Sequence, residues 1–89
     1  MQDRDIDIYG GGGTSLGGYI REGCLILKSE VYGDDYESER NYKFTKEDTE
    51  KLFSIISIED FIELCKRERV RGMEKFLHKN GIHPTTVTF

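Results

Sequence analysis

The chain has 89 residues, of which 34% are charged and 36% apolar, and its 13 basic and 17 acidic residues give a net charge of −4. This length fits one domain with a small core, and the acidic balance disfavours general binding to nucleic acid or to a membrane surface. No apolar run approaches the roughly 18 residues of a membrane span, the N-terminus lacks the apolar segment of a signal peptide, and two cysteines do not make a disulfide framework. We therefore expect a single cytoplasmic domain over residues 1–89 with reduced thiols.

The first part of the chain is patterned as strands. Residues 4–9, RDIDIY, alternate between polar and apolar side chains, which predicts a half-buried strand with Ile6 and Ile8 on one face. Residues 10–18 contain six glycines, and we expect a flexible loop there, because each ordered glycine loses more backbone entropy than any other residue. Residues 19–32 predict one long strand. Its consecutive apolar residues, Cys24 to Leu27, favour a central position covered on both faces.

A third strand follows the hairpin loop that we predict at Gly33-Asp34-Asp35. Its even-numbered residues from Tyr36 to Phe44 share one face, and its odd-numbered residues from Glu37 to Lys43 share the other. One face is therefore expected to meet the core and the other to meet water or a partner.

Helical spacing of the apolar residues begins after residue 44. Thr45 and Ser57 each precede an aspartate by three residues, a pattern typical of helix N-caps. We predict one helix after each cap and a third from about Arg71 to Asn80, where Asn80-Gly81 ends the helical pattern. The expected buried residues are Leu52, Phe53, Ile55 and Ile56 in the first helix, Ile58, Phe61, Ile62 and Cys65 in the second, and Met73, Phe76 and Leu77 in the third.

The chain ends in TTVTF, whose alternation predicts a short closing strand, placed most simply beside the first strand. The element order is then β-β-β-α-α-α-β. Strands grouped before helices indicate an α+β fold, with an antiparallel sheet of about four strands and the helices packed on one face.

No motif in the sequence carries phosphate-binding or calcium-binding chemistry. The glycine-rich segment lacks the Lys-Ser/Thr pair of a phosphate-binding loop, and a strand rather than a helix follows it. Asp3, Asp5 and Asp7 resemble the start of a calcium loop, but Ile8 stands where that loop requires glycine. We expect these aspartates to form an acidic strand edge.

The histidines and cysteines are likewise expected to be structural. His78 and His83 lie on either side of the predicted helix end, so they do not share a helical face as a zinc pair does. Cys24 and Cys65 lie in apolar patterns typical of core positions. We therefore expect no catalytic residue, no metal, no cofactor and no enzymatic activity. A small enzyme whose site is completed across a dimer is the remaining enzymatic hypothesis.

Charge is distributed unevenly along the chain. Residues 1–63 contain seven basic and fifteen acidic residues, a net charge of −8, whereas residues 64–89 contain six basic and two acidic residues, a net charge of +4. The simplest interpretation is a solvated helix surface whose basic residues complement the negative ends of the helices. The alternative interpretation is that one of the two regions is an interaction surface.

The acidic candidate surface is the predicted hairpin that joins the second and third strands. Tyrosine beside carboxylates suits docking on a basic protein surface, because tyrosine contributes contact area at low entropic cost and charge steers the encounter. The leading hypothesis is a non-enzymatic protein-interaction module, of inhibitor or immunity type, that uses Tyr32, Asp34, Asp35, Tyr36, Glu37 and Glu39. The expected partner is another protein with a basic surface, and a homodimer stays open.

The basic candidate surface is the second half of the helical region. Its exposed cations could contact the phosphates of a nucleic acid. This alternative function would use Lys66, Arg67, Arg69, Arg71, Lys75 and Lys79.

From Tyr36 onward, the sequence resembles a group of small bacterial α+β proteins to which no function is assigned. The resemblance rests on the acidic-aromatic strand YESERNYKF, the helix start TKEDTEKL and the terminal segment GIHPTTVTF. It implies a similar α+β fold and brings no activity, cofactor or site residue with it.

Overall fold

In the computed structural model, which describes residues 1–33 and 37–89, an antiparallel sheet carries a helical layer on one face. Within these residues there are five strands and two helices, which confirms the α+β class but gives one strand more and one helix fewer than expected. The sheet order follows the chain, β1-β2-β3-β4-β5. The elements are β1 Arg4–Tyr9, β2 Thr14–Arg21, β3 Cys24–Tyr32, β4 Glu37–Lys43, α1 Lys46–Ile55, α2 Ile58–Lys79 and β5 Thr85–Thr88.

The additional strand, β2, begins inside the segment that was predicted to be a loop over residues 10–18. Only residues 10–13 form the connection, and three of its glycines have positive φ. Gly17 and Gly18 belong to β2, where a Cβ on Gly17 would lie 2.9 Å from the Ile6 carbonyl oxygen and one on Gly18 would collide with the Ile26 carbonyl. These two glycines therefore allow β2 to approach both neighbouring strands closely, and their presence does not indicate a loop.

The strand predicted over residues 19–32 is two strands joined by a hairpin. Its loop residues, Glu22 and Gly23, both have positive φ, 54° and 79°, as a two-residue type I′ turn requires. Asn-Gly or Asp-Gly would have indicated that turn in the sequence, whereas glutamate rarely adopts this conformation. The predicted loop at Gly33-Asp34-Asp35 and the start of the next strand at Tyr36 extend beyond the described residues.

Both predicted helix caps are present. The Asp48 amide donates to Thr45 Oγ1 at 3.0 Å, and the Asp60 amide donates to Ser57 Oγ at 3.1 Å. The chain is extended at Ile56 and Ser57, so the break between two helices that the Ser57 cap predicts is confirmed.

The predicted second and third helices are one element, α2, with a kink at Arg69. Arg69 has φ 63° and ψ −169°, which no residue of a regular helix adopts. Before the kink, Glu59 of α2 lies beside Arg4 at 3.3 Å, and Arg69 stacks on Tyr9 at the other end of β1. After the kink, Glu74 lies against β4. The two segments of α2 therefore cover different strands.

The terminal strand β5 pairs with β4 and not with β1, so the expected placement beside the first strand is wrong. The second segment of α2 explains this result, because it ends over β4, and Gly81 with φ 71° turns the chain there. Only a short connection, residues 80–84, then separates α2 from β5, which favours pairing with the nearby β4 over pairing with β1.

The core lies between the sheet and the helices. Leu25, Leu27 and Tyr42 of the sheet are buried against Phe61, Cys65, Met73 and Leu77 of α2. Ile55 is half exposed, contrary to the prediction for the first helix. β3 is central, as expected, but Cys24 and Ile26 on its other face are only partly buried, so the prediction that this strand is covered on both faces is wrong.

Candidate functional site

The helices leave one side of the sheet uncovered, and we call it the open sheet face. In the strand register, Asp5, Tyr19, Ile26 and Lys43 form one row across this face, and Asp7, Gly17, Lys28 and Asn41 form the next. A third row continues with Ser15, Glu30, Glu39 and Phe89, and Tyr32 pairs with Glu37 beyond it. The face therefore combines carboxylates and aromatic residues with the two lysines Lys28 and Lys43.

A groove of about 710 Å³ crosses the open sheet face, and Gly17 forms part of its floor. The absence of a side chain at Gly17 opens the groove between its neighbours on β1 and β3. Tyr9 and Tyr19 are its aromatic walls. The charged and amide groups that line it are Asp7, Lys28, Glu30 and Asn41.

Ion pairs hold part of this face together. Lys28 Nζ lies 2.9 Å from Glu39 Oε1 and 3.8 Å from Glu30 Oε1, and the hydrogen bond with Glu39 raises the pKa of Lys28. Arg21 Nη2 donates to Asp5 Oδ1 at 2.6 Å, which raises the pKa of Arg21. These exposed pairs fix side-chain positions more than they stabilise the fold.

Three residues of the predicted acidic hairpin are described, and all three lie on the open sheet face. Tyr32 is 48% exposed and stands opposite Glu37, while Glu39 is bound to Lys28. Asp34, Asp35 and Tyr36 lie outside the described residues. The prediction that one face of this strand meets the core is confirmed, and the buried Tyr42 and Phe44 show that it is the even-numbered face.

The sequence prediction missed two aromatic residues of the open sheet face, Tyr19 and Phe89. Tyr19 is 39% exposed, and Phe89 is 72% exposed and bound through its backbone to Glu39. Phe89 lines a smaller groove of about 260 Å³ with Glu30, Glu37, Ser38 and Glu39. Correct pairing of the terminal strand with β4 would have placed Phe89 beside the acidic residues.

The predicted basic residues are all exposed, but they do not form one patch. Lys66 and Arg67 precede the kink and pair with neighbouring glutamates at 3.6 and 3.7 Å. After the kink, Arg71, Lys75 and Lys79 follow one another at intervals of four residues and so share one helical face.

A second pocket, of about 460 Å³, lies where the kink of α2 meets the ends of the strands, and we call it the arginine pocket. Arg69 and Arg71 come from the kink, and Arg40 comes from β4. Sequence reasoning missed Arg40 because nothing local indicates that β4 and the kink meet. The other lining residues are Tyr9, Thr14, Ser29, Glu30, Val31, Ser38 and Val70.

The cysteines and histidines show no reactive arrangement in the described part of the chain. Cys65 is fully buried, and this burial raises the pKa of its thiol to about 12, in agreement with a core position. Cys24 is only partly buried, so the core position predicted for it is not observed. The rings of His78 and His83 meet edge to face with centroids 4.6 Å apart, although a helix end separates them in sequence. Among residues 1–33 and 37–89, no three metal-binding side chains come together.

The predicted acidic edge has structural partners. Asp3 Oδ1 accepts a hydrogen bond from the Glu22 amide at 3.1 Å, and Asp5 holds Arg21. These contacts tie β1 to the β2–β3 hairpin.

Comparison of the chain with protein-family models, with curated proteins and with solved structures gave no match. The helices of the described residues include none that is both long and apolar enough to cross a membrane.

Proposed function

We propose that the protein is a non-enzymatic interaction module whose open sheet face docks on a basic surface of another protein. The observation that supports this proposal most strongly is the placement of three exposed aromatic residues among carboxylates on the one side of the sheet without helices. These residues are Tyr19, Tyr32 and Phe89, and their exposed fractions are 39%, 48% and 72%.

Each kind of side chain has a separate role in such an interface. Aromatic residues are enriched at the centres of protein interfaces, because they bury a large area for a small loss of side-chain entropy. Carboxylates at the rim accelerate encounter with a basic partner and select against acidic ones. The groove above Gly17 provides a recess for a protruding side chain of the partner.

The carboxylates differ in how available they are to a partner. Asp5 and Glu39 are already paired with Arg21 and Lys28. Within the described residues, no ion pair involves Asp7 or Glu37. A cationic partner would therefore contact Asp7 and Glu37 without having to break an existing pair.

An acidic face that covers a basic working surface would act as an inhibitor or an immunity-type protein. A second copy of the chain is a weaker candidate partner, because two copies of this face would bring like charges together.

The test uses a variant in which Tyr19, Tyr32 and Glu37 are each replaced by serine. A partner is captured with the wild-type chain from the native host, identified and purified, and its affinity for both chains is measured by calorimetry. We expect the triple variant to bind at least about tenfold more weakly, because loss of a central aromatic contact alone costs roughly 1–2 kcal/mol. The wild-type affinity should fall as salt is added.

Glu50→Ser is the matched control, since Glu50 is an exposed glutamate on α1, on the opposite side of the sheet. It should leave the affinity unchanged. Equal affinities of the wild-type chain and the triple variant would reject the open sheet face as the binding surface, and so would a captured partner whose contact surface is acidic.

Nucleic-acid binding through the basic residues is the second candidate, because Arg71, Lys75 and Lys79 share one exposed helical face. It predicts a gel shift at low salt that weakens steeply with added salt, since bound phosphates release counterions. Replacing Lys75 and Lys79 with glutamine should reduce that shift. Absence of any shift at low salt would remove this function.

A further inference from the structure

We propose that the arginine pocket binds a phosphate group, either as inorganic phosphate or as the phosphate of a small phosphomonoester. The pocket lies between the kink of α2 and the helical side of the sheet, and Tyr9 and Glu30 line both this pocket and the groove of the open sheet face. The inference does not rest on the proposed docking by the open sheet face.

The first observation is that three arginines line one pocket. Arg40 comes from β4, Arg69 is the kink residue of α2, and Arg71 follows the kink. Cationic side chains that line one pocket favour an anion there, because opposite charges attract. Guanidinium is also the group that matches the geometry of phosphate, because it donates two parallel hydrogen bonds.

The second observation is that two of the arginines are positioned by neighbouring residues. Arg69 lies over the Tyr9 ring, with its central carbon 4.2 Å from the ring centroid. Arg40 Nη1 lies 3.5 Å from Glu74 Oε1, and the Tyr42 hydroxyl donates to the same carboxylate oxygen at 3.3 Å. Side chains that are already oriented lose less entropy when they bind a ligand.

The third observation is the set of neutral donors around the arginines. Ser29 stands directly opposite Arg40 in the register of β3 and β4, and Ser38 stands opposite Val31. These serines share the helical side of the sheet with Arg40. With Thr14 and Tyr9, they supply four hydroxyl groups to the lining. A phosphate accepts many hydrogen bonds, so a lining of hydroxyl and guanidinium donors suits it.

Among the lining residues that the structure describes, Glu30 carries the one carboxylate. Glu30 Oε1 lies 3.8 Å from Lys28 Nζ on the open sheet face, and the positive charge of Lys28 counteracts the negative charge of this carboxylate. Glu74, which pairs with Arg40, lies outside this lining. The described lining residues, with three arginines and one glutamate, therefore carry a positive net charge.

The size of the pocket accommodates more than a bare phosphate. A volume of about 460 Å³ lies within the roughly 300–1,000 Å³ of ordinary small-molecule sites. Val31 and Val70 provide an apolar wall against which a small organic group would pack. This combination points to a phosphomonoester with a short apolar or aromatic substituent as the larger candidate ligand.

The test is a titration of the ¹⁵N-labelled protein with inorganic phosphate, followed by amide chemical shifts, at constant ionic strength set with chloride. We expect saturable shifts confined to the neighbourhood of Ser29, Ser38 and Arg71. Arg71→Gln should weaken phosphate binding at least about tenfold, as expected for loss of a charged hydrogen bond. Arg67→Gln is the matched control, since Arg67 is an exposed arginine of α2 outside the pocket, and it should bind as the wild type does.

A second titration with phenyl phosphate distinguishes the two ligand sources. If phenyl phosphate binds more tightly than inorganic phosphate, and Val31→Ser removes this difference, the pocket is assigned to phosphomonoesters. If both ligands bind with equal affinity, the pocket is assigned to free phosphate. Phosphate shifts that do not saturate would overturn the proposal, and so would equal affinities of the wild type and Arg71→Gln. Binding of a short oligonucleotide that depends on Lys75 and Lys79, without saturable phosphate binding, would replace it with the nucleic-acid function.

Discussion

Thr49 joins the first helix to the centre of the sheet through a single hydroxyl group. Its Oγ1 donates to the Thr45 carbonyl at 2.8 Å and accepts from the Leu25 amide at 3.0 Å, and the residue is fully buried. The Leu25 amide at the start of β3 thus has a buried partner that comes from α1.

Replacing Thr49 with valine keeps the shape of the side chain but leaves the Leu25 amide without this acceptor. We expect a loss of about 1–3 kcal/mol in the free energy of unfolding, the usual cost of a buried unsatisfied donor. Urea denaturation measures it. Thr49→Ser keeps the hydroxyl and should lose less than the valine variant, and an equal loss for both would contradict the role assigned to the hydrogen bonds.

The two cysteines should differ sharply in reactivity. Cys65 is fully buried and its thiol has a pKa of about 12, so almost no thiolate exists there at pH 8, whereas Cys24 is partly exposed. A thiol reagent should label one cysteine per native chain at pH 8 and both in urea. Peptide mapping that finds Cys65 modified in the native protein would contradict this prediction.

Burial of Cys65 also implies a pH dependence of stability. The folded state holds the thiol proton up to a pKa of about 12, against 9.0 for the ordinary thiol. The stabilisation from this neutral thiol is complete below pH 9 and is lost as the pH rises from 9 towards 12. The free energy of unfolding of Cys65→Ala, measured by urea denaturation at a series of pH values, should therefore fall less between pH 9 and pH 12 than that of the wild type.

At the scale of single elements, β2 depends on glycines that look like loop residues in the sequence. A Cβ on Gly18 would collide with the Ile26 carbonyl, whereas one on Gly10 would meet only the Ser15 Cβ at 4.0 Å. Gly18→Ala should therefore destabilise the protein by more than about 1 kcal/mol. Gly10→Ala should be neutral or slightly stabilising. Thermal unfolding of both variants checks the contrast, and equal melting temperatures would contradict it.

The kink of α2 is a second feature of this kind, and it is formed by one residue. Arg69 has φ 63° and ψ −169°, a conformation that glycine adopts far more easily than arginine. Arg69→Gly should raise the free energy of unfolding by about 1 kcal/mol, because the relief of strain exceeds the loss of the contact with Tyr9.

The same substitution two residues earlier provides the control. Arg67→Gly lies within regular helix and should lower stability by about 1 kcal/mol, the ordinary cost of glycine there. If both glycine variants are destabilised equally in chemical denaturation, Arg69 is not a strained position.

Sequence patterns predicted the elements better than their connections. The caps at Thr45 and Ser57 were found because capping depends on residues only three apart. The sequence predicted a boundary between two helices near Arg69. It did not predict that one residue alone would interrupt a continuous helix, since position 69 is neither glycine nor proline.

For the whole molecule, the fold separates two kinds of surface. Carboxylates and aromatic residues stand on the open sheet face, while the arginine pocket and the basic residues of α2 lie on the helical side. The α+β class followed from the grouping of strands before helices. The position of β5 could not be predicted from that grouping, because it depends on the direction that the second segment of α2 takes after the kink. Only part of the candidate site was predicted from the sequence. Tyr32, Glu37 and Glu39 were predicted because they are close in sequence, whereas Phe89 joins them only through strand pairing.

The central claim is that the open sheet face is the surface that meets a partner, and site-specific photo-crosslinking tests it even while the identity of that partner is unknown. A photoreactive phenylalanine analogue is placed at Tyr19, at Phe89 or at Ile55, three exposed apolar positions of which only Ile55 lies on a helix. In cells of the native host, we expect a crosslink to one basic protein from positions 19 and 89 and none from position 55. Crosslinks from position 55 alone, or equally from all three positions, would contradict it.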